Sequence, residues 1–141
     1  MKTGHVGLNV TDLDRSIAFY RDVFQLTVLR ESHEGPRRFA FLGEGDTLVL
    51  TLWEQSQGTA DNEKPGLHHL SFQVDSRAEI EHAEQRLRAL SAHIYYGGIV
   101  PHAEGAHSGG IFFSDPDGTR LEIYAPAGME SEQAPVAGAP T

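Results

Sequence analysis

Residues 5–10 read HVGLNV, and residues 69–74 read HLSFQV. Both alternate with the period of a half-buried strand. In the first, Val6, Leu8 and Val10 share one face while His5, Gly7 and Asn9 share the other. In the second, Leu70, Phe72 and Val74 oppose His69, Ser71 and Gln73. Each run leads into a helix. Thr11-Asp12 supplies an N-cap, Asp14 suits the first turn by charge, and Leu13, Ile17, Tyr20 and Phe24 fall on one helical side. Ser76 and Glu79 form a capping box, followed by the apolar stripe Ile80, Ala83, Leu87 and Leu90.

Three further strands follow each helix. In the first half they are expected near 27–32, 37–42 and 47–53, with turns at Glu34-Gly35-Pro36 and at Gly43-Glu44-Gly45-Asp46. In the second half they are expected near 93–99, 110–114 and 119–125. The order β-α-β-β-β therefore occurs twice, weak by identity and clearer by pattern, as in a duplicated module. This is an α+β fold of two βαβββ modules, about 3–54 and 67–127, forming a single domain over 1–127. Residues 55–66 are polar, carry Gly and Pro, lack periodicity and read as a linker. Residues 128–141 are small, polar and Pro/Ala-rich, and read as a disordered tail.

Setting the halves in register places His5 against His69, each at the head of its first strand. Gly43–Thr47 aligns with Asp115–Thr119, which sets Leu50 against Glu122. Each helix must cover the apolar strand face, so the opposite, concave face carries the polar residues. His5, Leu50, His69 and Glu122 are then four equivalent corners, and three of them can bind a metal. Two imidazoles and one carboxylate suit one divalent ion such as Fe, Mn, Ni, Co or Zn, and leave positions open for substrate. His69→Ala is expected to abolish metal binding with little loss of fold. Asn9, Phe41, Leu50, Trp53, Phe113, Arg120 and Tyr124 are candidates to line the cavity. His107, in the Gly-rich loop before the Glu122 strand, is the candidate acid or base. His68 is expected to pack on the side of Leu70, and His33, His82, His93 and His102 to lie at the surface.

Composition narrows the classes. The chain has 141 residues, 39% hydrophobic and 22% charged, which is enough for a sizeable core. Its net charge of −9 and the absence of any Lys/Arg run argue against a nucleic-acid partner. No apolar stretch approaches the ~18 residues of a membrane span, and no secretory signal is visible, so a cytoplasmic protein is expected. With no cysteine, a metal must be held by His and carboxylate.

The strings HVGLNVTDLDRSIAFY, GLHHLSFQV and FFSDPDGTRLEIY resemble the vicinal oxygen chelate superfamily over about residues 3–127. That superfamily includes glyoxalase I, fosfomycin resistance proteins, extradiol dioxygenases, methylmalonyl-CoA epimerase and bleomycin-type binding proteins. The resemblance implies paired βαβββ modules and a divalent metal at these positions. It also implies a homodimer with shared sites, in which His5 of one subunit joins His69 and Glu122 of the other. Glyoxalase I and the epimerase add a fourth ligand where Leu50 stands. The phosphonate-binding members use basic residues in the second module, and this chain has no lysine after Lys64. Extradiol dioxygenases match the three-ligand set, although Phe112 occupies the place of their tyrosine. The expected function is a metal-dependent enzyme, dioxygenase-like or lyase-like, acting on a small oxygenated substrate, aromatic or not. The alternative is a resistance protein that sequesters an antibiotic or metabolite without turnover.

Overall fold

A computed structural model describes residues 1–130. It has two compact units: Met1–Ala60 with Pro116–Gly118, and Asp61–Asp115 with the chain from Thr119 onward.

In the first unit, β1 (Val6–Val10) leads to α1 (Leu13–Phe24), then to β2 (Thr27–Ser32), β3 (Phe39–Glu44) and β4 (Thr47–Glu54). The sheet order is β1-β4-β3-β2, with β1 parallel to β4 and the other pairs antiparallel. Asp12 caps α1 by accepting from Arg15 N–H at 3.1 Å, and Gln25 ends it in a left-handed conformation. Leu13, Ile17, Tyr20 and Val23 are buried, and Tyr20 stacks on Phe24 with ring centres 5.7 Å apart. Leu8, Val10, Ala40, Leu42, Leu50 and Leu52 fill the sheet's apolar side, and α1 packs against β2, β3 and β4. The Leu13 N–H donates to Glu54 Oε2 at 2.7 Å, while Arg38 pairs with Oε1 at 2.7 Å. The Leu13 N–H, with Arg38 adding to it, holds the Glu54 carboxyl below the ordinary glutamate value despite partial burial.

One irregularity in this sheet moves a candidate residue. Leu42 pairs with Leu50, but Gly43 pairs with Leu48, so β4 carries one extra residue. Gly43 is required there, because a Cβ would lie 2.4 Å from the Thr47 carbonyl oxygen. The bulge corrects the expected register. Gly7 pairs with Thr51 and Ser71 with Glu122, so Thr51, not Leu50, is the counterpart of Glu122. Leu50 is fully buried in the core and lines no cavity.

The second unit contains β5 (Leu70–Gln73), α2 (Arg77–Ala89), a 3₁₀ turn (Tyr95–Gly97), β6 (Val100–Pro101), β7 (Gly109–Ser114) and β8 (Arg120–Ala125). The order β5-β8-β7-β6 repeats that of the first sheet. Ser76 accepts from Glu79 N–H, and Glu79 accepts in turn from Asp75 N–H at 2.9 Å. Ile80, Ala83 and Leu87 are buried, whereas Leu90 sits at the C-cap, 45% exposed. The strand expected at 93–99 does not form. Tyr96, Gly97 and Gly98 all take positive φ, which an extended strand excludes. Only Ile94 bridges Phe113, and β6 is reduced to two residues. Phe113 is fully buried opposite Leu121, so it belongs to the core and not to a cavity.

Residues 128–130 differ from the expected tail. Met129 is fully buried, and its N–H donates to the His107 carbonyl at 3.0 Å. Gly109 accommodates it, because a Cβ there would come 2.5 Å from Met129 Cγ. The remainder of that tail, 131–141, lies outside the described residues. Among the described residues no helix is long and apolar enough to cross a membrane.

Candidate metal and substrate face

In the second unit the side of the sheet away from α2 is set by register. Ser71 pairs with Glu122 and Gln73 with Tyr124 across the parallel strands, while Phe112 pairs with Glu122 and Ser114 with Arg120 across the antiparallel ones. Alternation places His69, one residue before β5, on this same face. The face thus gathers His69, Ser71, Gln73, Phe112, Ser114, Arg120, Glu122 and Tyr124.

Glu122 is only 5% exposed. Ser71 Oγ donates to its Oε1 at 2.8 Å, and His102 Nε2 lies 2.6 Å from its Oε2. A carboxylate only accepts, so His102 presents an N–H at Nε2 to Glu122, and its Nδ1 shares a hydrogen bond with the Ser108 hydroxyl at 2.8 Å. No Lys or Arg pairs with Glu122 among the described residues. The carboxylate is thus buried with a hydroxyl and an imidazole as its partners, and a carboxylate in such a setting is a ready ligand for a cation. Each oxygen still has a free lone-pair direction. The donor chemistry therefore fits a divalent cation.

His69 is exposed. Its Nδ1 lies 2.8 Å from Nδ1 of the equally exposed His68, and its ring meets Phe112 edge-on at 6.4 Å. His68 is thus not packed beside Leu70. Tyr124 donates to Gln73 Oε1 at 2.9 Å and stands 5.5 Å from the His102 ring. Arg120 lies over the Tyr95 ring at 4.6 Å and donates to the Tyr96 hydroxyl at 2.8 Å.

His107 takes a different place from the one expected. It is 76% exposed and faces Glu130 at 3.4 Å. The histidine of that loop that reaches Glu122 is His102, which lies at the surface as expected while its Nε2 turns inward to the carboxylate. Alternation from His69 already marked Ser71, and alternation from Glu122 marked Tyr124. Nothing local marked His102, because its partner lies twenty positions along the chain.

The corresponding face of the first unit is largely aromatic, with Arg30 over the Phe39 ring at 5.6 Å. His5 is exposed at the entrance to β1, and Asn9 accepts from Gln55 at 3.1 Å. Thr51 accepts from Trp53 Nε1–H at 3.0 Å. Phe39, Phe41 and Trp53 form an aromatic group with ring centres 5.0–6.0 Å apart. Among the described residues no group of three or more His, Asp or Glu side chains converges to hold a metal.

Sequence and fold comparisons agree with this architecture. The profile of the glyoxalase/bleomycin resistance protein/dioxygenase superfamily matches residues 2–123. A probable lactoylglutathione lyase of Vibrio cholerae is 34% identical over 139 residues, covering 89% of this chain and 94% of the lyase. A catechol-2,3-dioxygenase of Bacillus subtilis is 30% identical over 86% of this chain, which spans only 40% of that enzyme's length. A glyoxalase/bleomycin resistance protein/dioxygenase domain from Frankia superimposes with a TM-score of 0.75 at 26% identity, covering 89% of this chain and 97% of that one. A variant of the fosfomycin resistance protein FosX of Listeria monocytogenes, complexed with Mn(II), has the same fold. Its TM-score is 0.70 at 20% identity, over 94% of this chain and 97% of FosX.

Proposed function

We propose for this chain, which belongs to the glyoxalase/bleomycin resistance protein/dioxygenase superfamily, a divalent-metal-dependent activity on a small oxygenated substrate, dioxygenase-like or lyase-like. The observation that carries this reading is the buried carboxylate of Glu122, with no Lys or Arg partner among the described residues, on a face that also presents His69. His69 and Glu122 are the donors from the second module, and His5 from a first module completes the set in a homodimer with shared sites. A bound Fe, Mn, Co, Ni or Zn ion supplies Lewis acidity toward vicinal oxygens of the substrate.

The chain's own residues do the remaining work. Ser71 and His102 fix the Glu122 carboxylate from two sides, which orients its lone pairs. Ser108 holds the His102 ring in place through Nδ1, which keeps Nε2 beside the donor set as a site where a proton can be held. Phe112 and Tyr124 wall the face and limit water access. A second reading, sequestration without turnover, draws on the Phe39–Phe41–Trp53 group, which offers stacking surface.

Metal titration followed by elemental analysis tests the reading. The wild type is expected to hold one ion per donor set. His69→Ala and Glu122→Gln should each lose more than about 100-fold in affinity, since even outer-shell partners cost 10–100-fold, with unchanged circular dichroism. Full occupancy in both variants would show the ligand assignment to be wrong. No metal in the wild type, with tight binding of an aromatic compound, would favour sequestration. Light scattering should report a dimer at micromolar concentration.

A further inference from the structure

Arg120 is an unusual cation for this chain. Acidic residues outnumber Lys and Arg by 20 to 11, yet no carboxylate pairs with Arg120 among the described residues. Three aromatic rings surround it instead: Tyr95 at 4.6 Å, Phe112 at 5.7 Å and Tyr96 at 5.9 Å. Its Nε is buried with no acceptor. Rings attract a guanidinium but do not neutralise it, and they leave its fork of donors incompletely used.

The surrounding residues are held in place. Ser114, the cross-strand partner of Arg120, bonds the Tyr95 hydroxyl at 2.9 Å. Tyr96 brings its hydroxyl to Arg120 from a left-handed backbone, φ 59° and ψ 16°, which a side-chain-bearing residue adopts at a cost. Strain maintained at such a point is characteristic of a binding clamp. This 3₁₀ turn stands where the pattern called for a plain strand.

We infer that Arg120, with Tyr95, Tyr96 and Phe112, is a specificity element that recognises a carboxylate on the substrate. A guanidinium matches a carboxylate in two parallel hydrogen bonds, and the three rings give a flat substrate body something to stack on. Arg120 stands two residues before Glu122 on the same strand face, which at strand rise separates them by roughly 7 Å. The substrate class is therefore a compact anion whose carboxylate lies about one aromatic ring away from the oxygens presented to Glu122 and His69. The inference rests on the reading proposed above for what happens at those oxygens, but carboxylate recognition itself needs no metal.

Calorimetric titration of the metal-free protein with 4-hydroxybenzoate and with its neutral, near-isosteric amide tests it. The wild type should prefer the acid at least ten-fold, with the preference falling as salt rises. Arg120→Met should remove that preference while leaving the amide within two-fold of its wild-type affinity. Arg120→Lys, which keeps the charge but not the fork, should retain a few-fold preference. Equal binding of acid and amide by the wild type, or binding of neither, overturns the inference, as does an Arg120→Met protein that still prefers the acid. Because no metal is present, a charge preference observed here stands even if metal titration fails. Its absence likewise leaves the metal assignment untouched.

Discussion

The two sheets of this protein repeat one another in strand order and pairing direction, and differ in chemistry. Gly7, Thr51, Phe41 and Trp53 of the first stand where Ser71, Glu122, Phe112 and Tyr124 of the second stand. The first set is neutral and aromatic. The second brings a buried carboxylate, a hydroxyl that supports it and, from a loop, an imidazole. The fold depends on the opposite faces of these strands, where the first sheet buries Leu, Val and Ala and the second Leu, Ile, Ala and Phe. A duplicated module can thus lose or gain a charged site on one face without disturbing the core on the other.

Leu50→Ala makes the largest break in that comparison. As the core counterpart of Leu121, Leu50 should cost about 2–5 kcal/mol when truncated, measured by urea denaturation. Leu121→Ala should cost a similar amount. A loss below about 1 kcal/mol would place Leu50 back on the open face.

Helix entry separates the halves next. The start of α2 is served by its own Ser76 and Glu79, whereas the Leu13 N–H of α1 is served by Glu54 from a strand. Glu54→Gln should cost about 1–2 kcal/mol at pH 7, as expected for a partly screened hydrogen bond to a charged group. The sign follows from its lowered pKa. The stabilisation is present above the unfolded glutamate value and is lost as pH falls through the folded one. Denaturation curves of wild type and variant should therefore converge as pH falls below the ordinary glutamate range, and a constant gap would exclude the carboxylate as the cause.

Thr51→Val is the mildest test. It removes the acceptor of the Trp53 indole N–H, which solvent partly replaces, so stability should change by less than about 1 kcal/mol. Trp53 is the only tryptophan, and its emission should shift. An unchanged spectrum would show that Thr51 does not hold the indole.

The DPDG turn shows how a prominent motif can serve structure. Asp115 closes the turn by accepting from Thr119 N–H at 2.8 Å, and Gly118 supplies the positive φ. Pro116–Gly118 belong with the first unit, where Asp117 binds Thr11 and Arg15 at the start of α1. Their effect is to start β8 at Arg120 and so to set which of its side chains point where.

Period and capping in the sequence alone determined both helices, seven of the eight strands, the duplication, and the faces on which His69 and Glu122 lie. Those features depend on neighbours within a few residues, where alternation and helical spacing act directly. Leu50 and Phe113 were misplaced because a single extra residue in β4, and the parity of β7, turn a side chain to the opposite face. Strand pairing settles that parity; composition does not. The 3₁₀ turn at Tyr95, the reach of His102 to Glu122 and the ring-lined position of Arg120 were decided only in the tertiary structure. Tyr95 meets Ser114 across nineteen positions, His102 meets Glu122 across twenty and Arg120 meets Tyr96 across twenty-four, and no local preference encodes such meetings.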